Sequence, residues 1–532
     1  MIKGIFVKCI KVNSLLFFWC DWATLLSMKN NSLIVKNSIF LAIRTIVITI
    51  VGLYSVRELL SILGIEEYGL FNLVFGVAIL FSFINGAMVS SIQRYLAYYI
   101  GKKDEDMLSA IWVNSLILHS IIAILIATLL FLLKDQIIRQ FLVIDLKHLK
   151  SAYFIYYCSI LVVFISIIQA PFNSLILAQE KMSFFAFLSL LDAIVKLIII
   201  YWLYFFESYI LEKYSLMYLA SVITIFLIYY FYCVKNFNKG FNLKEIKLSL
   251  LKEITVYSLW NIFGNFSSMA RTQGVNILLN IFIGVIANSA YAITTNVSSA
   301  IGSLINSIVT AINPQIYKSY AEEDYERNIF LINTASKFSF FLALIVVLPI
   351  LFNTKYLLEL WLNQLPLFLV EFVQLALIIL LIDCLSGSLM TGIQATGKVK
   401  AYQIVVSISV FLNLPISYVL LKAGYEPAVV YWVAIVMAFV SLALRLYFIN
   451  SLTQFSIFLY LKSVILRSFL VVISSVLLIF FLLGSINLNN SFFSFIWVSF
   501  FVFISVIFSI ILFGLKSSER LFVFSKINGY LK

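Results

Sequence analysis

The chain has 532 residues, of which 63% are hydrophobic and only 11% are charged, and its net charge is +13. A soluble domain carries about 25% charged residues because its surface must face water, so this composition excludes a soluble protein of this size. The positive charge would suggest a nucleic-acid partner in a soluble protein, but here the basic residues lie in short loops between apolar runs, which membrane topology explains without nucleic acid.

Residues 1–32 are predicted to be an N-terminal extension. Residues 14–19 form an apolar patch that is too short to cross a bilayer, and no small-residue cleavage site follows it. Met28 stands just before the kind of basic, polar segment that normally introduces a first span. A true start at Met28 and an interfacial helix upstream of it are both compatible with this pattern.

The rest of the chain contains fourteen apolar runs that are long enough to be membrane helices, which require about 20 residues each. Runs of this length predict helices rather than barrel strands, which would show ten-residue alternation. The predicted fold class is therefore an all-α integral membrane protein. Spans 1 to 14 are predicted at 37–60, 68–90, 108–133, 151–178, 183–206, 214–234, 254–283, 288–312, 329–352, 367–394, 401–421, 427–449, 464–484 and 492–514.

The distribution of Lys and Arg predicts the orientation of these spans. With the N-terminus inside, the inside segments hold 26 Lys and Arg residues and the outside segments hold 7. Cytoplasmic loops carry such an excess of basic residues, so both termini are predicted to be cytoplasmic. Arg445 was counted among the inside segments, with Lys318, Arg327 and Lys337 of an earlier segment.

Two halves of the chain resemble each other at an offset near 220 residues. Gly64 matches Gly284, residues 93–106 match 314–324, and residues 176–186 match 392–403. An offset of six spans gives two lobes of the same orientation, as in transporters built from parallel repeats. We predict an N-lobe at 33–234, a cytoplasmic linker at 235–253, a C-lobe at 254–450, and spans 13 and 14 with a basic cytoplasmic tail at 451–532.

Polar residues recur at helical spacing in spans 1, 2, 7 and 8, which are equivalent pairs under the repeat. Hydroxyl and glycine residues alone could serve close helix packing, but buried amides and guanidinium groups are costly in hydrocarbon. We therefore expect these spans to line a cleft between the lobes. The candidate cavity residues are Arg44, Arg94, Asn261, Asn265, Arg271 and Asn306.

Arg44 and Arg271 lie deep within spans 1 and 7, where an arginine costs roughly 2.5–3.5 kcal/mol even on a lenient insertion scale. A guanidinium offers a planar fork to two oxygens of a phosphate. We expect both arginines to face a substrate cavity rather than a buried carboxylate. Arg57, near the outer end of span 1, is interpreted as structural because snorkelling is cheap there.

Three further charged residues lie within spans. Asp192 and Lys196 are spaced i,i+4 on span 5 and can neutralise each other, so a structural pair and a role in coupling are both open. Asp383 lies on a stripe with Gly387, Thr391 and Gln394 on span 10. Asp383 is expected either to bind a coupling cation or proton or to pair with an arginine.

No pattern in the chain indicates catalysis, a metal or a cofactor. The five cysteines have neither metal nor redox spacing, and His119 and His148 are the only histidines. No Walker-type GxxxxGK[ST] run is present. We predict a protein that is not an enzyme and that has no catalytic residue, no metal and no cofactor.

An ordered set of segments resembles the bacterial O-antigen or polysaccharide repeat-unit flippases (Wzx type) of the multidrug/oligosaccharidyl-lipid/polysaccharide exporter superfamily. The matching segments are "VRELLSILGIEEYGLFNLV" (56–74), "FINGAMVSSIQRYLAYYIGKKD" (83–104), "QAPFNSLILAQEKMSFFAF" (169–187), "ARTQGVNILLNIFIG" (270–284), "AINPQIYKSY" (311–320) and "GIQATGKVKAYQIVVSISVFLNLPISYVLL" (392–421).

The resemblance implies two six-helix lobes around a V-shaped cavity, a MATE-like architecture to which spans 13 and 14 are additional. In related fourteen-span lipid flippases the additional pair forms a groove for a lipid tail. The resemblance also implies a substrate, an oligosaccharide on undecaprenyl diphosphate, flipped to the periplasmic leaflet of the bacterial inner membrane. Membrane lipid and the polymerase and chain-length regulator of the same pathway are the implied partners.

Three other functions were weighed. A multidrug or cation antiporter of the same superfamily would be expected to have an acidic cavity. An integral-membrane O-antigen polymerase would need catalytic groups in a sizeable outside loop, whereas the largest such loop, 134–150, is short. A structural scaffold would leave the intramembrane arginines unexplained.

Overall fold

The described residues of the chain form helices joined by short turns. The computed structural model describes residues 29–79, 82–141, 144, 146–237, 245–362, 365–483, 492–516 and 519–520. An all-α fold follows from the bilayer, because every backbone polar group in lipid must be hydrogen-bonded within the chain. Residues 1–28 of the predicted extension 1–32 and most of the predicted C-terminal tail lie outside these ranges, and residues 29–32 begin the first helix.

Helices account for nearly all described residues of the fourteen predicted spans, with short breaks at residues 385–386 in span 10 and at residue 412 in span 11. The N-lobe contains Lys29–Ile79 and Ser82–Lys102 (spans 1 and 2), Glu105–Leu132 (3), Leu149–Ala178 (4), Met182–Trp202 (5) and Ile210–Phe237 (6). The C-lobe contains Leu248–Phe282 (7), Val285–Ala321 (8), Tyr325–Leu362 (9), Leu369–Cys384 with Gly387–Ala395 (10), Lys400–Phe411 with Asn413–Lys422 (11) and Val429–Leu452 (12). Span 13 is Ile457–Tyr460 continued by Leu466–Leu483, and span 14 is Phe492–Ser509.

Eleven of the described helices are long and apolar enough to cross a membrane, and the bent helix of span 8 makes twelve. Span 7 is not among these helices, span 2 is described only on either side of residues 80 and 81, and both spans carry polar stripes noted in the sequence. The prediction of an all-α, multi-pass membrane protein is thereby confirmed.

The internal repeat is visible in the backbone turns. Gly64 has φ 74° between spans 1 and 2, and Gly284 has φ 100° between spans 7 and 8. Lys103 and Glu323, with φ of 56° and 62°, end span 2 and span 8 in the same way. Positive φ is uncommon for residues other than glycine, so its recurrence at Lys103 and Glu323 agrees with the predicted repeat.

The lobes pack against each other at only one end of the bundle. We call this the basic end, because it carries Lys102, Lys181, Lys318 and Lys398. One buried apolar cluster there joins residues of span 2, such as Ile92, with residues of the C-lobe. Toward the opposite end, one buried cluster contains only N-lobe residues and another only C-lobe residues. The lobes therefore meet at the basic end and have separate cores at the other.

Two basic residues that we counted with the inside segments lie within the helices of spans 9 and 12. Arg445 is within span 12, the helix Val429–Leu452. Lys337 is within span 9, is 3% exposed, and forms an ion pair of 2.6 Å with Glu519, which follows span 14. Counting them with the inside segments was wrong, because Lys337 and Arg445 fall within the predicted spans 329–352 and 427–449 and the helices carry both cations inside the fold.

The two lobes approach each other at backbone level at Gly101 of span 2. A Cβ atom at this position would lie 2.9 Å from both Cα and the carbonyl oxygen of Lys318 in span 8. Backbone atoms cannot move aside as a flexible side chain can, so only glycine allows this contact.

We expect Gly101→Ala to lower the free energy of unfolding by about 1–3 kcal/mol, the usual cost of overpacking. Gly52→Ala is the matched control, because a Cβ there meets nothing within 4 Å and the change should stabilise its helix by about 0.5–1 kcal/mol. Thermal unfolding of the purified variants measures both effects. Equal stability of the two variants would show that the lobes do not approach as described.

Candidate functional site

Three connected cavities lie among the helices of the C-lobe, with volumes of about 280, 170 and 70 Å³, and Ala87 and Ser90 of span 2 in the N-lobe also line the third. The first and second cavities share Arg271 and Asp383, and the second and third share Ser268 and Arg445. Further polar lining residues are Thr272, Thr294, Thr295, Ser298, Ser299 and Asn413 in the first cavity, Ser386 and Ser441 in the second, and Asn261, Asn265, Gln394, Gln403 and Ser407 in the third.

The charges of these cavities come from two arginines and one aspartate on three different spans. Arg271 of span 7 and Arg445 of span 12 both interact electrostatically with Asp383 of span 10. Within the described ranges, no ion pair of 4 Å or less joins them. Asp383 is exposed although its helix lies inside the lobe, because it borders the hollow. The cavities therefore contain an excess of one positive charge that is not consumed by close pairing.

The third cavity ends at a layer of buried hydrogen bonds centred on Asn261. Its Nδ2 donates to Ser91 Oγ of the N-lobe at 3.0 Å, and its Oδ1 accepts from Gln403 Nε2 at 2.8 Å and from Gln394 Nε2 at 3.4 Å. Tyr317 donates from its hydroxyl to Gln394 Oε1 at 3.0 Å. We call these five residues the polar seal. It connects both lobes and separates the cavities from the basic end.

Ion pairs between the lobes lie beyond the polar seal, at the basic end itself. Glu180 of the N-lobe pairs with Lys318 of the C-lobe and accepts a hydrogen bond of 2.6 Å from Gln315. Lys102 pairs with Glu323 at 3.2 Å. This hydrogen bond to the Glu323 carboxylate raises the pKa of Lys102 above its ordinary value. The contacts cross from lobe to lobe, so they must break if the lobes part here.

The C-lobe candidates fall at different depths. Arg271 lines the first two cavities and Asn265 lines the third. Asn261 is 4% exposed and forms the centre of the polar seal as well as lining the third cavity. Asn306 is exposed on span 8 and is not among the residues lining the three cavities. Their predicted roles in binding remain predictions.

The predicted site residues of the N-lobe do not line the three cavities. The Arg44 guanidinium lies 4.8 Å from the centre of the Phe185 ring, and its Nε has no hydrogen-bond partner within the described part of the chain. Asp192 and Lys196 form an ion pair of 2.8 Å, as their spacing allows. Arg94 donates from Nη2 to the Ala395 carbonyl at 3.1 Å, which places it at the basic end beyond the polar seal.

Arg445 and Gln403 were not selected from the sequence, although both line the cavities. Arg445 lies four residues after Ser441, so both share one face of span 12. Gln403 lies four residues before Ser407, so these two residues also share one face, on span 11. A search for any polar pair at i,i+4 within spans 9 to 12 would have found them.

The parts of the chain that the structure describes contain no candidate set of metal ligands. No group of three or more His, Cys, Asp or Glu side chains there could hold a metal ion. The arrangement offers instead hydroxyl groups, amides and two guanidinium groups, which can hydrogen-bond sugars and oxyanions without covalent chemistry.

Comparison with known families gives two matches. A family described as polysaccharide biosynthesis protein matches residues 34–320, and the MatE family matches residues 261–419. A search of curated proteins found no match.

Solved structures of transporters share the fold. A structure of MATE in the bent conformation is similar with a TM-score of 0.71 at 16% identity, covering 81% of this chain and 98% of that one. An outward-facing multidrug resistance MATE family transporter of the MOP superfamily is similar with a TM-score of 0.69 at 17% identity, covering 79% of this chain and 96% of that one. A MOP superfamily transporter from Pyrococcus furiosus, whose binding pocket has reverse polarity, is similar with a TM-score of 0.69 at 16% identity. The match covers 79% of this chain and 96% of that one.

The separation of the cavities from the basic end predicts which positions a membrane-impermeant thiol reagent can reach. In a cysteine-free background, Ser299→Cys in the first cavity and Lys398→Cys at the basic end should react from opposite sides of the membrane. Ser91→Cys, whose side chain is fully buried in the polar seal, should react at least tenfold more slowly from either side. Labelling of Ser299→Cys and Lys398→Cys from the same side would contradict the described separation.

Proposed function

Because this chain belongs to the polysaccharide biosynthesis protein family within the MOP superfamily, we propose that it flips an oligosaccharide linked to undecaprenyl diphosphate. The proposed direction is from the cytoplasmic to the periplasmic leaflet of the bacterial inner membrane. The observation that carries the proposal is the C-lobe cavity system, in which Arg271 and Arg445 flank Asp383 among hydroxyl and amide groups.

This lining suits a sugar with a phosphorylated head. A charged side chain inside a membrane is costly and is commonly kept for a substrate or ion pathway. Here two guanidinium groups exceed one carboxylate, so an anion gains more than a cation from entering. Guanidinium groups also bind phosphate oxygens with a bidentate geometry that lysine lacks. The hydroxyl and amide groups replace water around the sugars while the polyprenyl chain stays in lipid.

The excess of basic residues assigns the basic end to the cytoplasm in this proposal. The described conformation is then closed toward the cytoplasm. Cytoplasmic loading requires the lobes to rock apart at the basic end, as in other transporters built from repeats. An exposed ion pair such as Lys102–Glu323 is screened by solvent and contributes little to stability, so it does not prevent this end from reopening.

The membrane potential supplies a direction without ATP. With the cell interior negative, outward movement of an anion is favourable by roughly 2.3 kcal/mol per charge at 100 mV. The chain contains no Walker-type motif, and the proposed cycle has no covalent step. The proposal therefore treats the protein as a carrier, with no catalytic residue and no cofactor.

We expect Arg271→Ala to lower glycan export at least tenfold, because loss of a charge-assisted hydrogen bond costs about 1.5–3 kcal/mol. Arg271→Lys keeps the positive charge but loses the planar guanidinium with its paired N–H donors, so it should retain part of the export. Arg57→Ala is the matched control, since Arg57 is exposed near the end of span 1. Export is measured as surface polysaccharide in a flippase-null strain that expresses the cognate repeat-unit genes.

Normal abundance of each variant in the membrane must accompany this measurement. Export by Arg271→Ala at the wild-type rate would contradict the proposal that Arg271 binds the substrate in the cavity. Failure of the unmodified protein to restore export with any cognate gene set would contradict the proposed substrate itself.

A cation or multidrug exporter is the second candidate, favoured by the MatE match over residues 261–419. In that case Asp383 would bind the coupling cation, and Asp383→Asn would abolish dye efflux. The arginines on either side of Asp383 disfavour a cation there. We therefore expect expression of the protein to leave dye accumulation and drug resistance unchanged, and efflux that depends on Asp383 would support the second candidate instead.

A further inference from the structure

A separate pocket of about 1030 Å³ lies at the basic end, on the other side of the polar seal. It is formed by the end of span 2, the start of span 7, the turn at 396–401 and the end of span 12. It shares no lining residue with the three C-lobe cavities. We call it the basic-end pocket, and the proposed transport path makes no use of it.

The pocket is strongly cationic. Its charged lining residues are Arg94, Lys252, Lys398 and Lys400, against the one carboxylate of Glu253. Glu253 Oε1 accepts a hydrogen bond of 3.1 Å from the Tyr95 hydroxyl, which fixes the carboxylate beside the tyrosine. Four cations and one anion give the lining an excess of three positive charges, and this excess favours an anionic ligand.

Arg94 is the buried cation of this pocket, with 7% exposure. Its Nη2 is hydrogen-bonded to the Ala395 carbonyl, whereas its Nε has no partner within the described ranges. Gly397, with φ 76°, makes room for the guanidinium, since a Cβ there would lie 2.8 Å from Nη2. The chain therefore holds a desolvated cation with an unused donor at the wall of the pocket.

The first helix of span 11 starts at the same place. It runs from Lys400 to Phe411, and Val399 before it provides no side-chain cap. The first N–H groups of a helix have no intrahelical partner and attract anions, phosphate in particular. Lys398 and Lys400 are exposed on either side of this helix start. Together with Arg94 they form a site suited to a phosphate group.

An exposed apolar surface continues from the pocket along spans 7 and 11. Val256 and Ile404 line the pocket, and Ile408, 52% exposed, follows Ile404 by one helical turn. Trp260 lies at the pocket with Lys400 Nζ 5.6 Å from its ring centre, a pairing typical of the membrane interface. A ligand with a phosphate head and hydrocarbon chains would match both parts of this surface.

We propose that the basic-end pocket binds the headgroup of an anionic membrane phospholipid. The phosphate lies between the start of span 11 and Arg94, and the acyl chains lie along spans 7 and 11. Because Arg94 belongs to the N-lobe and the helix start to the C-lobe, a bound lipid holds the lobes together at the basic end. The proposal goes beyond the proposed function and does not depend on which substrate is carried.

The test compares Lys398→Gln/Lys400→Gln with the control Lys235→Gln/Lys247→Gln. The control residues are exposed basic residues of the same end that do not line the pocket. Phosphatidylglycerol added to the purified proteins should raise the melting temperature of the wild type and the control, relative to phosphatidylcholine. The pocket variant should lose at least half of this shift while keeping the wild-type melting temperature in phosphatidylcholine.

Native mass spectrometry gives an independent readout, in which the pocket variant should retain fewer phosphatidylglycerol molecules than the control. Equal shifts and equal retention in the two variants would overturn the proposal. A shift of the same size with soluble glycerol phosphate would also overturn it, because the site would then bind free phosphate groups without a lipid. Stabilisation by a polyprenyl diphosphate but not by phosphatidylglycerol would overturn it in favour of a substrate entry site.

Discussion

The polar contact between the lobes at Asn261 is the interaction on which the arrangement depends. One amide group satisfies Ser91 of the N-lobe and two glutamines of the C-lobe in a buried layer. Buried polar groups are costly when they lose their partners, so this layer specifies one register of the lobes while they are closed. Gly101 lets the backbones of spans 2 and 8 come together at the same end of the bundle. At the opposite end each lobe has its own buried apolar core.

The consequence is a membrane protein whose polar interior is divided by the seal. On one side lie the cavities with Arg271, Asp383 and Arg445, and on the other side lies a larger pocket whose cations face the basic end. Both have an excess of positive charge, but the geometry differs. The cavities lie among helices of the C-lobe, with span 2 of the N-lobe bordering the third, and suit a transported head. The basic-end pocket joins both lobes beside an exposed apolar surface, as a lipid that remains in the bilayer would require.

Sequence reasoning predicted the spans and the repeat, because apolar length and glycine landmarks are local properties. It could not predict which polar residues face a hollow, since that depends on the rotation of each helix in the assembled lobe. Asn261 was predicted to line a cavity and also forms the centre of the seal, and Arg94 lies beyond that seal. Arg445 was counted with the inside segments although it falls within the predicted span 427–449, and tertiary packing places it in one cavity with Asp383.

The account requires the basic end to open and close, and a reversible bridge between the lobes tests this most directly. In a cysteine-free background, Lys102→Cys/Glu323→Cys replaces the interlobe pair, and Lys355→Cys/Glu359→Cys replaces a pair within span 9. A short, reducible bifunctional thiol reagent should stop glycan export in the first variant, and reduction should restore it, while the second variant continues to export. Undiminished export with the lobes bridged would contradict the account.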